Sequence, residues 1–331
     1  MNRLHLLLPV LAAGAAAVEE SATPPALVAQ RSAPAAAPSD PWSLRVRTFA
    51  GYDTNVLLEP ADAQLATDES SAVLHGDANA AWRTKLGRET HLRLGVEGAI
   101  DDYADVPEAQ LARLGANAFL RQRLGESALG AIDAGVLLNG HRFWLDGDSA
   151  ASDLGATLVG IATRTRHVDV AMLGWQHIGY DDFDDASGDQ LELGWKHQFL
   201  LGSAERTAAG RLAKRIDAGL RAVTYRAETD DESYVALAPT VEVAWRIDAA
   251  IAGRALDLGG RVGWESRRYD EGLGADAAER QGIWRLRANA DMQIAGPLSG
   301  GLFAAYGRRD SNLDARDYDR TQVGIQIAAT F

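Results

Sequence analysis

Two histidines stand near carboxylates in a way that could support acid–base chemistry. His141 is close in sequence to Asp146, and His177 is close to Asp181. A histidine within hydrogen-bond reach of a carboxylate can act as a general acid or base, and both histidines are predicted to face an interior near one rim. The chain contains no HExxH, GxSxG or P-loop motif and no cysteine. We therefore expect neither an enzyme nor a bound cofactor or metal.

A larger set of charged residues recurs at alternate positions of otherwise apolar segments. Most of its arginines, together with two glutamates, are predicted to line a pore: Arg45, Arg47, Arg93, Glu97, Arg121, Arg123, Arg211, Arg215, Arg221, Glu242, Arg261, Arg285 and Arg287. Further carboxylates are predicted to point the same way: Asp77, Asp133, Asp169, Glu192, Asp217, Glu265 and Asp291. Facing lipid would cost about 2–4 kcal/mol for each arginine near the bilayer midplane. Inside a pore, mixed charges either orient polar solutes in a transverse field or pair and fill the space.

The segments that carry these charges have the period-2 alternation of β-strands. In residues 92–101, apolar side chains such as Leu94 and Val96 alternate with polar ones such as Arg93 and Glu97. Fourteen such segments are predicted, at residues 42–52, 71–84, 92–101, 111–124, 128–143, 153–163, 167–180, 190–200, 210–226, 234–247, 255–267, 284–294, 301–307 and 320–331. Pro239 lies inside one of them and cannot donate to a ladder, so either a bulge or a different register of this strand is expected there.

The connections between the segments alternate in kind. Those after odd-numbered strands are long and acidic: residues 53–70, 101–109, 144–152, 181–189, 227–233, 268–281 and 308–319. Those after even-numbered strands are mostly short: residues 86–89, 125–127, 164–166, 202–206, 248–254 and 296–300. Long outer loops and short periplasmic turns are typical of bacterial outer-membrane barrels. A soluble sandwich or propeller is not expected to alternate long and short connections in this way. The sequence therefore predicts an all-β fold, a transmembrane antiparallel up-and-down β-barrel of about 14 strands with both termini periplasmic.

Aromatic residues are predicted to mark the two membrane interfaces. One level lies beside the short turns and one beside the long loops, and the residues concerned are Trp82 and Trp245, then Tyr103, Tyr180, Trp264 and Trp284. A barrel of this size lies between eight-stranded barrels filled by side chains and porins with open channels. We expect a narrow or partly plugged pore, with residues 53–70, the longest loop, as the plug.

The first 41 residues differ from the rest. Residues 1–18 have a positive start, an apolar run and small residues near a cleavage point, which predicts a signal peptide. Residues 19–41 are rich in alanine and proline and predict a disordered periplasmic leader. The barrel is assigned to residues 42–331. These features predict export to the bacterial outer membrane.

The last strand ends on an aromatic residue. Gly324, Ile327 and Phe331 resemble the terminal β-signal by which the outer-membrane insertion machinery recognises its clients. The alternative is a last strand that merely ends on phenylalanine. The first interpretation implies the barrel-assembly machinery as a partner.

Two short stretches resemble a known family. Residues 51–58, Gly-Tyr-Asp-Thr-Asn-Val-Leu-Leu, and residues 309–312 with 317–320 are similar to barrels of the surface lipoprotein assembly modifiers and related putative porins. The resemblance covers residues 42–331. The modifiers carry a periplasmic tetratricopeptide domain ahead of the barrel, and the corresponding stretch here is the alanine- and proline-rich leader.

Three functions remain open at this stage. The first is a porin-like diffusion channel for small polar solutes. The second is an export conduit for a surface lipoprotein or polysaccharide that depends on a periplasmic partner, and the third is a structural or adhesive surface barrel. The formal net charge of −13 is concentrated in the outer loops, where lipid and lipopolysaccharide are the expected neighbours. Nucleic acid is not an expected partner of so acidic a chain.

Overall fold

The computed structural model describes residues 41–56, 70–182, 184–201, 214–229, 232–269, 279–312 and 317–331. They form fourteen strands: β1 Trp42–Asp53, β2 Ser71–Lys85, β3 Thr90–Tyr103, β4 Leu111–Ser127, β5 Gly130–Leu145, β6 Asp148–Thr163, β7 His167–Tyr180, β8 Gly188–Leu200, β9 Arg215–Ala227, β10 Tyr234–Ile251, β11 Arg254–Tyr269, β12 Arg280–Ala295, β13 Leu298–Ser311 and β14 Tyr318–Thr330. Two short 3-10 helices, Pro107–Ala109 and Asp184–Ala186, lie in loops. Within these ranges no helix has the length and apolarity needed to cross a membrane.

The strands pair in chain order and close into one antiparallel barrel. Each strand pairs with its neighbours in sequence, and β1 pairs with β14 from Arg45 opposite Thr330 to Asp53 opposite Gln322. Closure leaves no free sheet edge, so the backbone groups of every strand have partners on both sides. Because the number of strands is even, the described chain starts and ends at the same rim. The all-β, up-and-down prediction is confirmed.

The described connections follow the predicted alternation of long and short links, with one exception. β5 and β6 are joined by only Asp146 and Gly147, with φ of 52° and 80°. Both residues have the positive φ of a type I′ turn, which matches the twist of a tight hairpin, so the long loop predicted at residues 144–152 is wrong. The described part of β9 begins at Arg215, and the predicted start of this strand near residue 210 lies outside the described residues, as does the predicted turn at residues 202–206.

Alternation gives each strand one face on the outside and one on the inside. In β1, Leu44 and Val46 are exposed on the outside, whereas Phe49 and Asp53 are buried on the inside. The same holds around the barrel, and its exposed outer residues include Leu94, Val96, Ile100, Leu114, Leu138, Leu158, Leu173, Leu193, Leu220, Val241, Val262, Leu286, Leu302 and Ile325. Such a continuous apolar surface is far larger than the patches that soluble monomers expose. It is the surface expected of a barrel in lipid.

Local details correct two further predictions. Pro239 causes no bulge, because Leu237 opposite Ser266 and Thr240 opposite Gly263 keep one register; the shift in this pair of strands lies between Ile247 and Ile251 at the rim. Of the four aromatic residues predicted to face lipid beside the long loops, only two do so.

Trp264 and Trp284 face outward and contact each other at 6.2 Å between ring centroids. Tyr103 and Tyr180 instead face inward. Their positions in β3 and β7 have the parity of the inner face, so they pack against inner side chains and do not reach lipid. The predicted signal peptide and nearly all of the leader lie outside the described residues.

Candidate functional site

The barrel interior collects the charged residues that the sequence placed there. All the predicted pore-lining arginines and glutamates that the structure describes point inward, on the face opposite the exposed apolar residues. Arg211 lies outside the described residues. The candidate site is therefore the charged lumen, built by alternate residues of nearly every strand.

One part of the lumen wall holds a chain of ion pairs across β1, β2 and β3. Arg47 Nε donates to Asp77 Oδ1 at 2.6 Å. His75 lies between two carboxylates, with Nδ1 2.7 Å from Asp101 Oδ1 and Nε2 3.2 Å from Asp77 Oδ1. An imidazole donates from both nitrogens only as the imidazolium, so this arrangement fits a charged His75.

A second histidine has the same arrangement further round the wall. His141 Nδ1 lies 2.9 Å from Asp153 Oδ1, and its Nε2 lies 3.2 Å from Glu97 Oε1. Arg113 Nη2 is 3.8 Å from the same Glu97 oxygen. The three side chains of the histidine bridge are almost fully buried. The partners of His141 are thus Asp153 and Glu97, and the sequence-adjacent Asp146 instead forms a turn.

Other predicted residues also meet in pairs. Arg121 Nη2 is 2.9 Å from Asp133 Oδ2, and Arg123 Nη1 is 4.0 Å from the other oxygen of Asp133. Arg215 binds Glu242, and its Nε lies 3.1 Å from Asp217 Oδ2. Much of the lumen charge is thus neutralised within the wall, which is the pairing alternative of the sequence analysis.

The interior also has an apolar part that the sequence analysis missed. Inward residues of β4 to β7 form a buried cluster of Phe119, Leu137, Val159, Ile161, Val168 and Val170, with Met172 packed against it. Because Val168, Val170 and Met172 take the inner face of β7, the residues between them face outward. Asp169 and His177, which were predicted to face the lumen, therefore lie on the outer face. There Asp169 contacts His197 at 2.8 Å, and His177 contacts Asp189 at 3.1 Å.

The two motifs behind the family resemblance meet where the barrel closes. Arg320 Nη2 donates to Asp53 Oδ2 at 2.5 Å, and Arg320 Nε donates to both oxygens of Asp53 at 3.1 and 2.9 Å. Thr54 and Thr321 exchange two hydrogen bonds, at 3.0 and 2.9 Å. Asn55 Nδ2 donates to the backbone oxygen of Asp319 at 3.0 Å. These residues join β1 to β14, so the two motifs lie together because the barrel closes between these strands.

The residues of the predicted insertion signal lie on both faces of β14. Ile327 and Phe331 are exposed on the outside, at 50% and 66%, and Gly324 is on the inside opposite Gly51. Phe331 also closes the rim, because its backbone exchanges hydrogen bonds with Leu44 at 3.1 and 2.8 Å. Recognition by the insertion machinery stays a prediction.

Among the described residues, no group of three or more acidic or histidine side chains is placed to hold a metal ion. The two histidine bridges already have their ring nitrogens directed at carboxylates. The fold and its two faces define the class of protein: a transmembrane β-barrel of the outer-membrane type, apolar outside and charged within.

Comparisons with known proteins find solved β-barrels that are similar to this chain at very low sequence identity. No protein-family model matches the chain, and no curated protein matches it. Among solved structures it is similar to CdiB from Acinetobacter baumannii, with 8% identity over 88% of this chain and 60% of that one, at a TM-score of 0.46. It is also similar to the outer-membrane expressed OmpT of Vibrio cholerae, with 12% identity over 88% and 97% of the two chains and a TM-score of 0.43. A structure described as a bacterial polysaccharide outer membrane secretin gives 9% identity, 88% and 98% coverage, and a TM-score of 0.43. Likenesses this distant say nothing about what passes through the barrel.

Proposed function

We propose that the protein is an outer-membrane pore, a porin-like diffusion channel for small polar solutes. The observation that carries the proposal is the contrast between the two faces of the same strands. At heights where the outside presents only apolar side chains, such as Val241 and Val262, the inside presents Glu242 and Arg261. Charged groups in the middle of a membrane protein face water or each other. A barrel of fourteen strands is wider than the eight-stranded barrels whose interiors side chains fill.

The orientation in the membrane forms part of the proposal. The rim that holds both described ends carries the tight turns at residues 128–129, 252–253 and 296–297. In outer-membrane barrels the short turns face the periplasm, so we assign this rim to the periplasm and the opposite rim to the cell surface, beside lipopolysaccharide. The proposal also includes export through the signal peptide predicted at residues 1–18, and insertion by the barrel-assembly machinery through Gly324, Ile327 and Phe331.

Electrical recording of the full chain in a planar lipid bilayer tests the proposal. We expect stepwise single-channel currents that scale with salt concentration. A folded barrel, verified by its resistance to unfolding in cold detergent, that inserts and stays electrically silent would contradict a diffusion channel. That outcome would favour the export conduit or a surface role without transport.

A further inference from the structure

Part of the lumen wall, formed by β9, β11 and β12, carries more arginine than its carboxylates neutralise. Glu265 is buried in β11 and is surrounded by three guanidinium groups. Arg267 Nη2 is 2.7 Å and Arg285 Nη1 is 3.0 Å from its oxygens, and Arg221 Nη2 is 3.6 Å away. Glu192 on β8 is a second carboxylate partner, 3.6 Å from Arg221 Nη1. Three guanidinium groups thus face two carboxylates, so this group of side chains retains an excess of positive charge.

Two more arginines extend this excess toward the middle of the barrel. Arg261 and Arg287 stand directly opposite each other in the register of β11 and β12, where like charges repel. Arg261 has neither a hydrogen bond nor an ion pair within the described residues. Glu242 on β10 stands opposite Arg261 in the strand register, but it binds Arg215 instead. Arg287 lies over the ring of Phe303 at 4.6 Å.

The wall beside these arginines is built from small residues. Gly263 lies between Arg261 and Glu265 on the inner face, and Ala305 and Gly307 stand opposite Arg287 and Arg285. A Cβ added at Gly307 would have no atom nearer than 3.9 Å. The Arg285 side chain is 42% exposed. Space and solvent therefore reach Arg285 from the lumen, whereas the Arg221 and Arg267 side chains are only 22% and 16% exposed.

The two histidine bridges in the wall from β1 to β6 show a different balance. There four carboxylates, Asp77, Asp101, Glu97 and Asp153, are matched by Arg47, Arg113 and two histidines that bridge them. The crowding of arginines around Glu265 is not repeated at these bridges.

We propose that Arg221, Arg261, Arg267, Arg285 and Arg287, here called the arginine patch, form a binding site for small solutes that carry a carboxylate or phosphate group. A guanidinium presents a planar fork of donors that matches either oxyanion in a bidentate way. This proposal rests on the proposed pore function and specifies the class of solute that the pore would take. Anions would enter past the acidic outer loops and be held at the patch during passage.

Calorimetric titration of the detergent-solubilised full chain with citrate and, separately, pyrophosphate tests the site without requiring any current. We expect binding that weakens with added salt and falls by about ten-fold in Arg261→Gln. This variant should fold, because Arg261 has no ion pair to lose. Arg268→Gln is the matched control: it removes the same charge from the same strand, but on the outer face near the rim.

The two probes separate a carboxylate site from a phosphate site. Absence of binding in the unaltered protein, or equal losses in Arg261→Gln and Arg268→Gln, would overturn the arginine patch as a site. Binding that depends on Arg261 in a barrel that conducts no ions would support the site and contradict only the diffusion channel.

Discussion

Gly51 and Gly324 face each other across the line where β1 meets β14, and the ring of Phe49 lies over both of them. A Cβ at Gly324 would lie 2.3 Å from the backbone oxygen of Ala50 and 2.6 Å from Phe49 Cε2. A Cβ at Gly51 would lie 2.2 Å from the backbone oxygen of Val323. Only glycine at both positions lets the aromatic ring cover the seam from inside.

Gly324→Ala should therefore destabilise the closed barrel. The nearest atom is backbone on the neighbouring strand, which moves only if the seam opens, and overpacking of this kind typically costs about 1–3 kcal/mol. We expect a lower midpoint of urea unfolding, measured by tryptophan fluorescence in detergent micelles. Gly160→Ala is the control, because a Cβ there meets nothing within 4 Å. Equal midpoints for the two variants would show that the seam does not depend on this glycine.

Asp53→Asn should weaken the same seam at its outer end. Asp53 is fully buried and accepts hydrogen bonds from Arg320 and from Gln322 Nε2, the latter at 2.8 Å. Removing one charge of a buried pair leaves the other uncompensated, which costs about 3–5 kcal/mol. Asp310→Asn provides the comparison, because its ion pair with Arg308 is about half exposed and screened by solvent. The urea midpoint should fall in Asp53→Asn and stay close to that of the unaltered protein in Asp310→Asn.

The strands were predictable because most of them have one strictly apolar face. β7 shows where that signal fails. Val168 and Val170 on one face and Leu173 and Trp175 on the other are all apolar, so the sequence pattern does not say which face is inside. The two polar residues, Asp169 and His177, suggested the wrong one. Pairing with β6 and β8 fixes the register, and it places the valines in the inner apolar cluster.

Contacts between residues that are far apart in the sequence could not be predicted from it. Nothing in the spacing of Asp53 and Arg320 shows that they meet, because their contact depends on closure after fourteen strands. The same holds for the partners of His141, which come from β3 and β6. By contrast, the tight turn at Asp146 and Gly147 had a signal in the sequence: Asp-Gly between alternating segments is a strong hairpin indicator.

Gly115→Ala should disturb the second histidine bridge. A Cβ at Gly115 would lie 2.1 Å from Cδ2 of His141, so the imidazole must move away from Glu97 and Asp153. Buried carboxylates that lose a hydrogen-bond donor cost about 1–3 kcal/mol each. We expect lower thermal stability, followed by circular dichroism of the refolded barrel. Gly98→Ala on β3 is the matched substitution, because its Cβ would have only ordinary contacts, the nearest at 3.5 Å. A Gly115→Ala protein as stable as Gly98→Ala would mean that the bridge adapts without loss.

Leu173→Arg tests whether the apolar outer face lies in lipid. Leu173 is 53% exposed and stands between Leu158 and Leu193 at the middle of the outer surface. In a bilayer, an arginine there should cost about 2–4 kcal/mol, and the same residue near an interface about 0–1 kcal/mol. Ser266→Arg supplies the rim comparison, because Ser266 faces outward near the loop end of β11. Reversible unfolding in lipid vesicles should therefore separate the two variants. If water covered this face, replacing an exposed leucine with arginine would cost almost nothing, and equal stability of the two variants would contradict a transmembrane barrel.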